Sequence, residues 1–264
     1  MIEKSNASML RRIGKKTKLL PKLLNLFPQD IKTFIDLFMG SGAVSFAMVD
    51  RVKYIIANDN DSDIFNLFMV IRNQKDELIK SIKMMPIHQD LFMYWKKNYE
   101  HDPIWKATRF LMLSNFGKFG GSGTLGFGNE NSKSILLVHI DEIFQRIECI
   151  QFMNCDFRDV LQKITNRDKN KNKTFVYADP PYLDTKNNYQ HSFKIQDTRD
   201  LFDLLVSSGL RFAISEFDNP KILKLSDTYK LKVTILGERQ NIKNRRTEVL
   251  ITNYEPIQIS LFNE

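Results

Sequence analysis

The sequence contains little cysteine and no long apolar segment. Cys149 and Cys155 are the only cysteines among 264 residues, and two thiols without a disulfide framework indicate a reducing compartment. Their spacing fits no zinc motif, so we expect no metal site. No run approaches the roughly 18 consecutive apolar residues that a membrane span needs. The basic N-terminal stretch also lacks the apolar segment of a secretory signal, so we expect a cytoplasmic protein without membrane contacts.

Positive charge is abundant and clustered. The formal net charge is +8, and much of the excess lies in segments 11–18, 167–173 and 238–246. Such a balance favours a polyanionic partner. Contacts from Lys and Arg to phosphates drive non-specific binding to nucleic acids, so the clusters are candidate contacts of that kind. A solvated loop explains segment 167–173 equally well.

Short apolar runs bounded by polar or turn residues read as buried strands. Helical stretches separate many of them, which favours an α/β fold with a parallel sheet covered on both faces. The last two runs have no helix between them, so we expect an antiparallel hairpin at one edge. The predicted strands are 33–38, 53–58, 150–155, 174–178, 211–216, 231–236 and 248–254.

Segment 62–148 interrupts this alternation. It contains several helical stretches and no clear strand, and residues 117–132 are rich in glycine. Long loops inside compact domains are usually functional or disordered. We therefore predict a helical insertion, 62–148, within a domain formed by 1–61 and 149–264.

A glycine-containing turn follows the first predicted strand. Gly40-Ser41-Gly42 precedes a helix, whose N-terminal N–H groups could bind an anionic group such as a carboxylate. Ordinary strand–helix turns use the same residues. The dinucleotide fingerprint G-x-G-x-x-G has a third glycine three positions after the second, and this chain has Ser45 there. A dinucleotide is therefore possible but not indicated.

Acidic residues end the next two predicted strands. Asp59 is placed to bind both hydroxyls of a ribose, although Asp61 competes for that role and Asp61 or Ser62 could instead cap a helix. Asp156 could accept from an adenine amino group beside the Phe157 ring, or could equally be a helix cap. Ligands of such sheets bind beyond the carboxyl ends of the strands, so the acids together suggest a cofactor with a nucleoside.

The segment Asp179-Pro180-Pro181-Tyr182 follows the fourth predicted strand. Proline has no N–H and disfavours helix in the residue before it, so this backbone is stiff and extended. Its carbonyls and the Asp179 carboxylate can accept hydrogen bonds, and Tyr182 offers a flat ring. Two acceptors would bind both hydrogens of an adenine amino group and turn the nitrogen lone pair toward an electrophilic methyl group. The pattern predicts methylation of adenine N6, with a capped strand end as the alternative.

These motifs, in their order, resemble those of the Dam-type (D12 class, α-group) DNA adenine N6-methyltransferases. The similarity covers most of the chain, and the DPPY motif is its most specific part. The segments that carry it are 11–28 (motif X), 36–42 (I), 58–61 (II), 155–157 (III), 179–182 (IV), 211–216 (V) and 244–254 (VIII).

The resemblance implies a Rossmann-like methyltransferase sheet, a helical target-recognition insertion, and S-adenosylmethionine (SAM) as methyl donor, with S-adenosylhomocysteine as product. It implies that Asp179, Pro180, Pro181 and Tyr182 hold an adenine flipped out of double-stranded DNA. The cofactor-binding residues that it implies are Lys16, Asp36, Phe38, Gly40, Ser41, Gly42, Asp59, Asp156, Phe157 and Asp179.

The chain departs from the family pattern at two places. Motif X commonly reads Gly-Gly-Lys, and here Lys15 stands at the second position, where the two alternatives are a contact with a DNA phosphate and no role at all. The glycine-rich stretch lacks the segment that reads GATC, so GATC specificity is not carried over. Candidate DNA contacts are Lys15, Lys118, Asn129, Asn131, Arg245 and Arg246, while a disordered or phosphate-contacting loop explains 117–132 equally well.

Other functions remain open from the sequence alone. The same acceptors could serve an RNA adenine or a glutamine side-chain amide, although Asp179 weakly disfavours families that often carry asparagine there. A SAM- or DNA-binding regulator without catalysis is a further alternative. The resemblance suits a bacterial or phage protein and leaves open a cognate restriction endonuclease.

Overall fold

The computed structural model describes residues 19–117, 124–125, 130–167, 171–183, 193–241 and 244–256. Within them, the apolar runs form one sheet in the order β3-β2-β1-β4-β5-β7-β6. The first five strands are parallel, and β7 is antiparallel to both β5 and β6. The predicted α/β fold and edge hairpin are therefore confirmed. The strands are β1 (Thr33–Asp36), β2 (Tyr54–Asn58), β3 (Ile150–Met153), β4 (Thr174–Ala178), β5 (Arg211–Phe217), β6 (Lys232–Asn241) and β7 (Asn244–Thr252).

The central strand β4 shows why the continuous apolar runs become strands. All five of its side chains are buried, because helices cover both faces of a parallel sheet. Helices outside the predicted insertion lie between or before the strands. They are α1 (Leu20–Leu26), α2 (Ala43–Met48), α8 (Phe157–Arg167), α9 (Ile195–Ser208) and α10 (Pro220–Thr228).

Segment 62–148 is helical wherever the structure describes it, apart from turns and one isolated bridge between Gly117 and Leu125. Helix α7 begins at Glu130, so the glycine-rich loop predicted for 117–132 is too long by its last three residues. Leu136, Ile140 and Ile143 of α7 pack in the core, and packing of this kind stabilises a helix whose first turn follows a glycine-rich stretch. The helices are α3 (Ser62–Asn73), α4 (Lys75–Met84), α5 (Gln89–Lys97), α6 (Pro103–Phe116) and α7 (Glu130–Ile147).

One apolar cluster joins the sheet to these helices. Phe34 of β1 and Phe175 of β4 belong to the same buried cluster as Phe68 of α3, Phe92 of α5 and Phe116 of α6. A second cluster fills the opposite face of the sheet, against α8, α9 and α10. Among the described residues, no helix has the length and apolar character to cross a bilayer.

Candidate active site

The strand order creates a topological switch point between β1 and β4, and we refer to the region at the carboxyl ends of these two strands as the cleft. The chain leaves β1 toward β2 and leaves β4 toward β5, so the connections diverge between these two neighbouring strands. Parallel α/β sheets bind ligands at such a switch point. Asp36 is the last residue of β1, and Asp179 follows β4 directly. The two predicted motifs therefore meet at the position where this type of sheet forms its binding site.

The turn after β1 requires both of its glycines. Gly40 and Gly42 have φ values of +50° and +75°, in the left-handed region that other residues avoid. A Cβ atom on Gly42 would lie 2.5 Å from the Phe46 ring. Ser41 lies half-buried between the glycines. A side chain at position 42 would therefore strain the backbone and displace the Phe46 ring, whereas at position 40 only the backbone conformation favours glycine.

Asp59 and Asp61 have different roles. The backbone N–H of Gly40 donates to Oδ2 of Asp59 at 2.8 Å, so Asp59 holds the glycine turn. Its Oδ1 accepts from the backbone N–H of Asp61 at 2.9 Å. The Asp61 side chain accepts from the N–H of Asp63 and caps α3, as the alternative prediction had it. The geometry leaves Asp59 as the acid beside the turn.

Asn58 connects three strand ends. Its side-chain amide donates to the carbonyl of Leu37 at 3.1 Å and to the carbonyl of Cys155 at 3.0 Å. Its Oδ1 accepts from the N–H of Cys155 at 3.0 Å, and its own carbonyl accepts from Met39 at 2.8 Å. Asn58 is almost fully buried. It therefore fixes the ends of β1 and β3 on either side of β2.

Asp36 is a buried carboxyl with one unsatisfied oxygen. Its Oδ2 accepts from the Ser45 hydroxyl at 2.7 Å, while its Oδ1 has no hydrogen-bond donor among the described residues. Burial raises the pKa of Asp36 to about 7, and the nearby carboxylates of Asp179 and Asp59 add to the shift, although the Ser45 hydroxyl and, more weakly, the nearby backbone N–H of Phe38 oppose it. A buried acceptor without a donor suits a ligand that brings a cationic N–H group.

An aromatic cluster lies between the ends of β1 and β3. The ring centroids of Phe38 and Phe157 are 5.6 Å apart. Phe193 meets Phe38 edge-on at 5.8 Å and lies 6.0 Å from Phe157. Rings at these distances form an apolar surface that suits a planar base.

The Asp156 carboxylate already has partners within the protein. Its Oδ1 accepts from the backbone N–H of Arg158 at 2.9 Å, which confirms a capping contact at the start of α8. The Arg158 guanidinium also donates to both oxygens at 3.2 Å and bridges to Asp197 and Asp200 of α9. A contact of Asp156 with an adenine would use its remaining lone pairs.

Tyr182 is held by residues of two neighbouring strands. Its hydroxyl donates to Oε1 of Glu248 at 2.5 Å, and its ring meets Phe217 edge-on at 4.5 Å between centroids. Burial and the nearby Asp179 and Glu248 carboxylates raise the pKa of Tyr182 well above its ordinary value, so the hydroxyl stays protonated and donates. Pro180 is buried, and Asp179 and Pro181 are half-buried.

The structure describes only part of the predicted DNA contacts. Arg246 lies in β7 with its guanidinium 5.3 Å from the centre of the Phe217 ring, beside Tyr182. Asn131 lies in the first turn of α7, not in the predicted loop, and Arg245 lies in β7, but their side chains are outside the described part. The other predicted DNA contacts, Lys15, Lys118 and Asn129, lie outside the described residues, and so does Lys16, which was predicted to bind the cofactor.

Four residues of this site were not singled out from the sequence. Asn58 is the first residue of the acidic segment 58–61, in which only the two aspartates were interpreted as functional. Glu248 is an acid at the start of an apolar run, which is an available signal, since a carboxyl in a buried strand requires a partner. Phe193 and Phe217 carry no sequence signal that separates them from ordinary core residues.

Comparison with known proteins gives one family match and several distant relatives. The family described as D12 class N6 adenine-specific DNA methyltransferase matches residues 13–249. Modification methylase StsI of Streptococcus sanguinis is 26% identical over an alignment of 298 residues, gaps included. The alignment covers 97% of this chain and 44% of that protein. Type II methyltransferase M1.LlaDCHI of Lactococcus lactis subsp. cremoris is 25% identical, with coverage of 91% and 93%. The chain thus spans less than half of StsI and nearly all of M1.LlaDCHI.

Among solved structures, precorrin-6y C5,15-methyltransferase from Geobacter metallireducens GS-15 is similar over 96% of this chain and 97% of that one. The sequence identity is 9% and the TM-score 0.44.

Proposed function

The chain belongs to the D12 class N6 adenine-specific DNA methyltransferases, and on that basis we propose that it transfers a methyl group from SAM to adenine N6 at a specific DNA sequence. The observation that carries the proposal is the meeting of the glycine turn and the Asp179–Tyr182 segment at one switch point of the sheet. The names of the relatives, a modification methylase and a type II methyltransferase, support the same activity.

The residues of the cleft fit SAM. The buried Oδ1 of Asp36 lacks a donor, and the α-ammonium group of a methionine moiety would supply one. The glycine turn admits a ligand close to the backbone, Asp59 stands beside it for the ribose, and the ring of Phe157 lies against Phe38 where an adenine would pack. When bound, SAM supplies an electrophilic methyl group.

The protein's own part in the reaction is to hold the target amine. The Asp179 carboxylate and the Pro180 carbonyl accept its two hydrogens, which directs the nitrogen lone pair away from the base. The Tyr182 ring stacks on the adenine. An amine in duplex DNA is paired and stacked, so the base must leave the helix, at a cost of a few kcal/mol that stacking and hydrogen bonds in the pocket offset.

DNA contacts beyond the target base are assigned to the basic segments and to the helical insertion, 62–148. Arg246 is the candidate whose side chain the structure describes. Its guanidinium contacts the Phe217 ring, which in turn contacts the Tyr182 ring. A restriction endonuclease that acts on the same sequence is the partner that relatives of the modification type suggest.

The test is to incubate the protein with SAM and unmethylated genomic DNA and to map modified adenines by single-molecule sequencing. N6-methyladenine at one short motif would support the proposal and give the recognition sequence. SAM binding without DNA methylation would contradict it and favour an RNA adenine, a protein amide or a regulatory role.

Asp36 gives the proposed cofactor site a pH dependence. Below its pKa of about 7 the carboxyl is protonated in the free protein, whereas the α-ammonium group of SAM binds the ionised form. We expect SAM binding to release a proton and SAM affinity to rise by up to about tenfold per pH unit between about pH 5.5 and 7. Calorimetry in two buffers of different ionisation enthalpy measures both quantities.

The matched variants are Asp36→Asn, which should abolish the proton release, and Asp30→Asn at the other end of the sheet, which should keep it. Without cofactor the pKa shift acts on folding. In the folded state the Asp36 carboxyl keeps its proton at pH values above its ordinary pKa of 3.8. The contribution of Asp36 to the free energy of unfolding is therefore fully present below pH 3.8 and is lost as the pH rises through about 7. A SAM affinity that is independent of pH would contradict the role of Asp36.

A further inference from the structure

Glu248 is a buried carboxylate inside an apolar strand. The residue is 3% exposed, and the next residues of β7, Val249, Leu250 and Ile251, are buried and apolar. A carboxylate at such a position is costly unless a strong hydrogen bond satisfies it. The Tyr182 hydroxyl donates one such bond to Oε1, at 2.5 Å, and hydrogen bonds to an ionised carboxylate are stronger than bonds between neutral groups.

Two further contacts restrict the same segment. Phe217 pairs with Glu248 across β5 and β7, so both side chains lie on one face of the sheet, and the Phe217 ring meets the Tyr182 ring edge-on. Glu216, which is also buried, accepts from the backbone N–H of Leu183 at 3.3 Å. The tyrosine is therefore held at its hydroxyl, at its ring and at the next peptide.

We propose that Glu248 is a positioning residue, which fixes the Tyr182 ring through its hydroxyl so that the flipped adenine meets a preformed stacking surface. The inference rests on the proposed function. A tyrosine attached only at its Cα can rotate its ring, and each rotation removes the surface on which the base must lie. The anchor joins the last strand of the sheet to the segment after β4, so the ring is oriented before DNA binds.

The geometry gives a graded set of variants. Tyr182→Phe keeps the ring and removes the donor. Glu248→Leu removes the acceptor at similar size, and Glu248→Gln keeps a neutral oxygen that can still accept. We expect Tyr182→Phe and Glu248→Leu each to lower kcat by about 10- to 100-fold, the cost of a misplaced reacting group, with the KM for SAM within about threefold of wild type.

The double variant and the glutamine variant separate positioning from general damage. If Glu248 acts through the Tyr182 hydroxyl, the double variant should be no slower than the slower single variant, and Glu248→Gln should stay within about threefold of wild type. The control is Tyr254→Phe, which also removes one hydroxyl hydrogen bond, to the Leu26 carbonyl at 3.1 Å, but away from the cleft. It should keep the wild-type kcat.

A second readout follows the base itself. The probe is DNA with 2-aminopurine at the methylated position. In the wild-type complex the flipped 2-aminopurine should be quenched by stacking on the Tyr182 ring. The complexes of Tyr182→Phe and Glu248→Leu should fluoresce more brightly, because that stacking is weakened. A wild-type kcat in Tyr182→Phe, or single losses that multiply in the double variant, would overturn the inference. If Glu248→Leu does not fold, Tyr182→Phe and Glu248→Gln decide by the same criteria. A wild-type protein that leaves adenine in DNA unmethylated would instead refute the proposed function.

Discussion

Replacing Asp179 with alanine is expected to lower the rate of methyl transfer by about 100- to 1000-fold, the size of effect seen when one preorganised hydrogen-bonding group is removed from an active site. The variant lacks the acceptor that binds one hydrogen of the amine, so the nitrogen lone pair stays in conjugation with the base. SAM affinity should change by less than about tenfold, because the glycine turn and Asp59 remain. Single-turnover methylation and SAM titration measure the two effects separately.

Two variants bracket this result. Asp179→Asn keeps one acceptor oxygen and should retain more activity than Asp179→Ala. Asp30→Ala removes an aspartate at the opposite end of the sheet, which bonds to Arg211 and Lys173, and should leave the rate unchanged. A partly exposed ion pair of this kind contributes about 1 kcal/mol or less to stability. Full activity in Asp179→Ala would refute the assigned role of the carboxylate.

Gly42→Ala is expected to weaken SAM binding by about 30-fold or more. The φ value of +75° strains any residue with a Cβ atom, and the added methyl group would lie 2.5 Å from Phe46 Cε2 and 3.3 Å from Met39 Cε. The chain relieves the strain by leaving the observed turn, so restoring the turn on binding costs about 2 kcal/mol or more. Isothermal titration with SAM measures the change.

Gly209→Ala is a matched control for this variant. Gly209 has a similar φ of +68° at the end of α9, but a Cβ there would meet only Lys171 Nζ, at 3.9 Å. Both variants should lower the free energy of unfolding by about 1 kcal/mol from backbone strain alone. Only Gly42→Ala should lose SAM affinity, and equal affinities in the two variants would show that the turn does not shape the cofactor site.

The sheet was predictable because its strands are continuous apolar runs between polar turns. The buried run of β4 and the hairpin of β6 and β7 follow directly from that pattern. The start of α7 was not predictable, because Glu130 follows a glycine-rich stretch. The helix is stabilised by tertiary packing, which cannot be read from the neighbouring residues in the sequence. The assignment of 62–148 to target recognition stays a prediction.

The site was predictable where local backbone chemistry defines it. The glycine turn and the two prolines specify conformation within a few residues, so their positions at the strand ends could be read from the chain. Asn58 could not, because its three hydrogen bonds exist only when β2 lies between β1 and β3. The contact of Tyr182 with Glu248 spans 66 residues and depends on β7 entering the sheet beside β5.

The apolar cluster shared by the sheet and α3–α7 limits how far the helical segment can change without loss of stability. Phe68 and Phe92 of the helices pack in the same core as Phe34 and Phe175 of the sheet, so grafting a foreign helical segment in place of 62–147 would open cavities beneath the active site. Deleting buried groups of this size costs several kcal/mol each. Diversification is therefore least costly at the surface of the helical segment, where loop residues change without disturbing the core. If segment 62–148 reads the DNA sequence, as predicted, a change of specificity is least costly to folding when it is confined to the outermost residues of that segment.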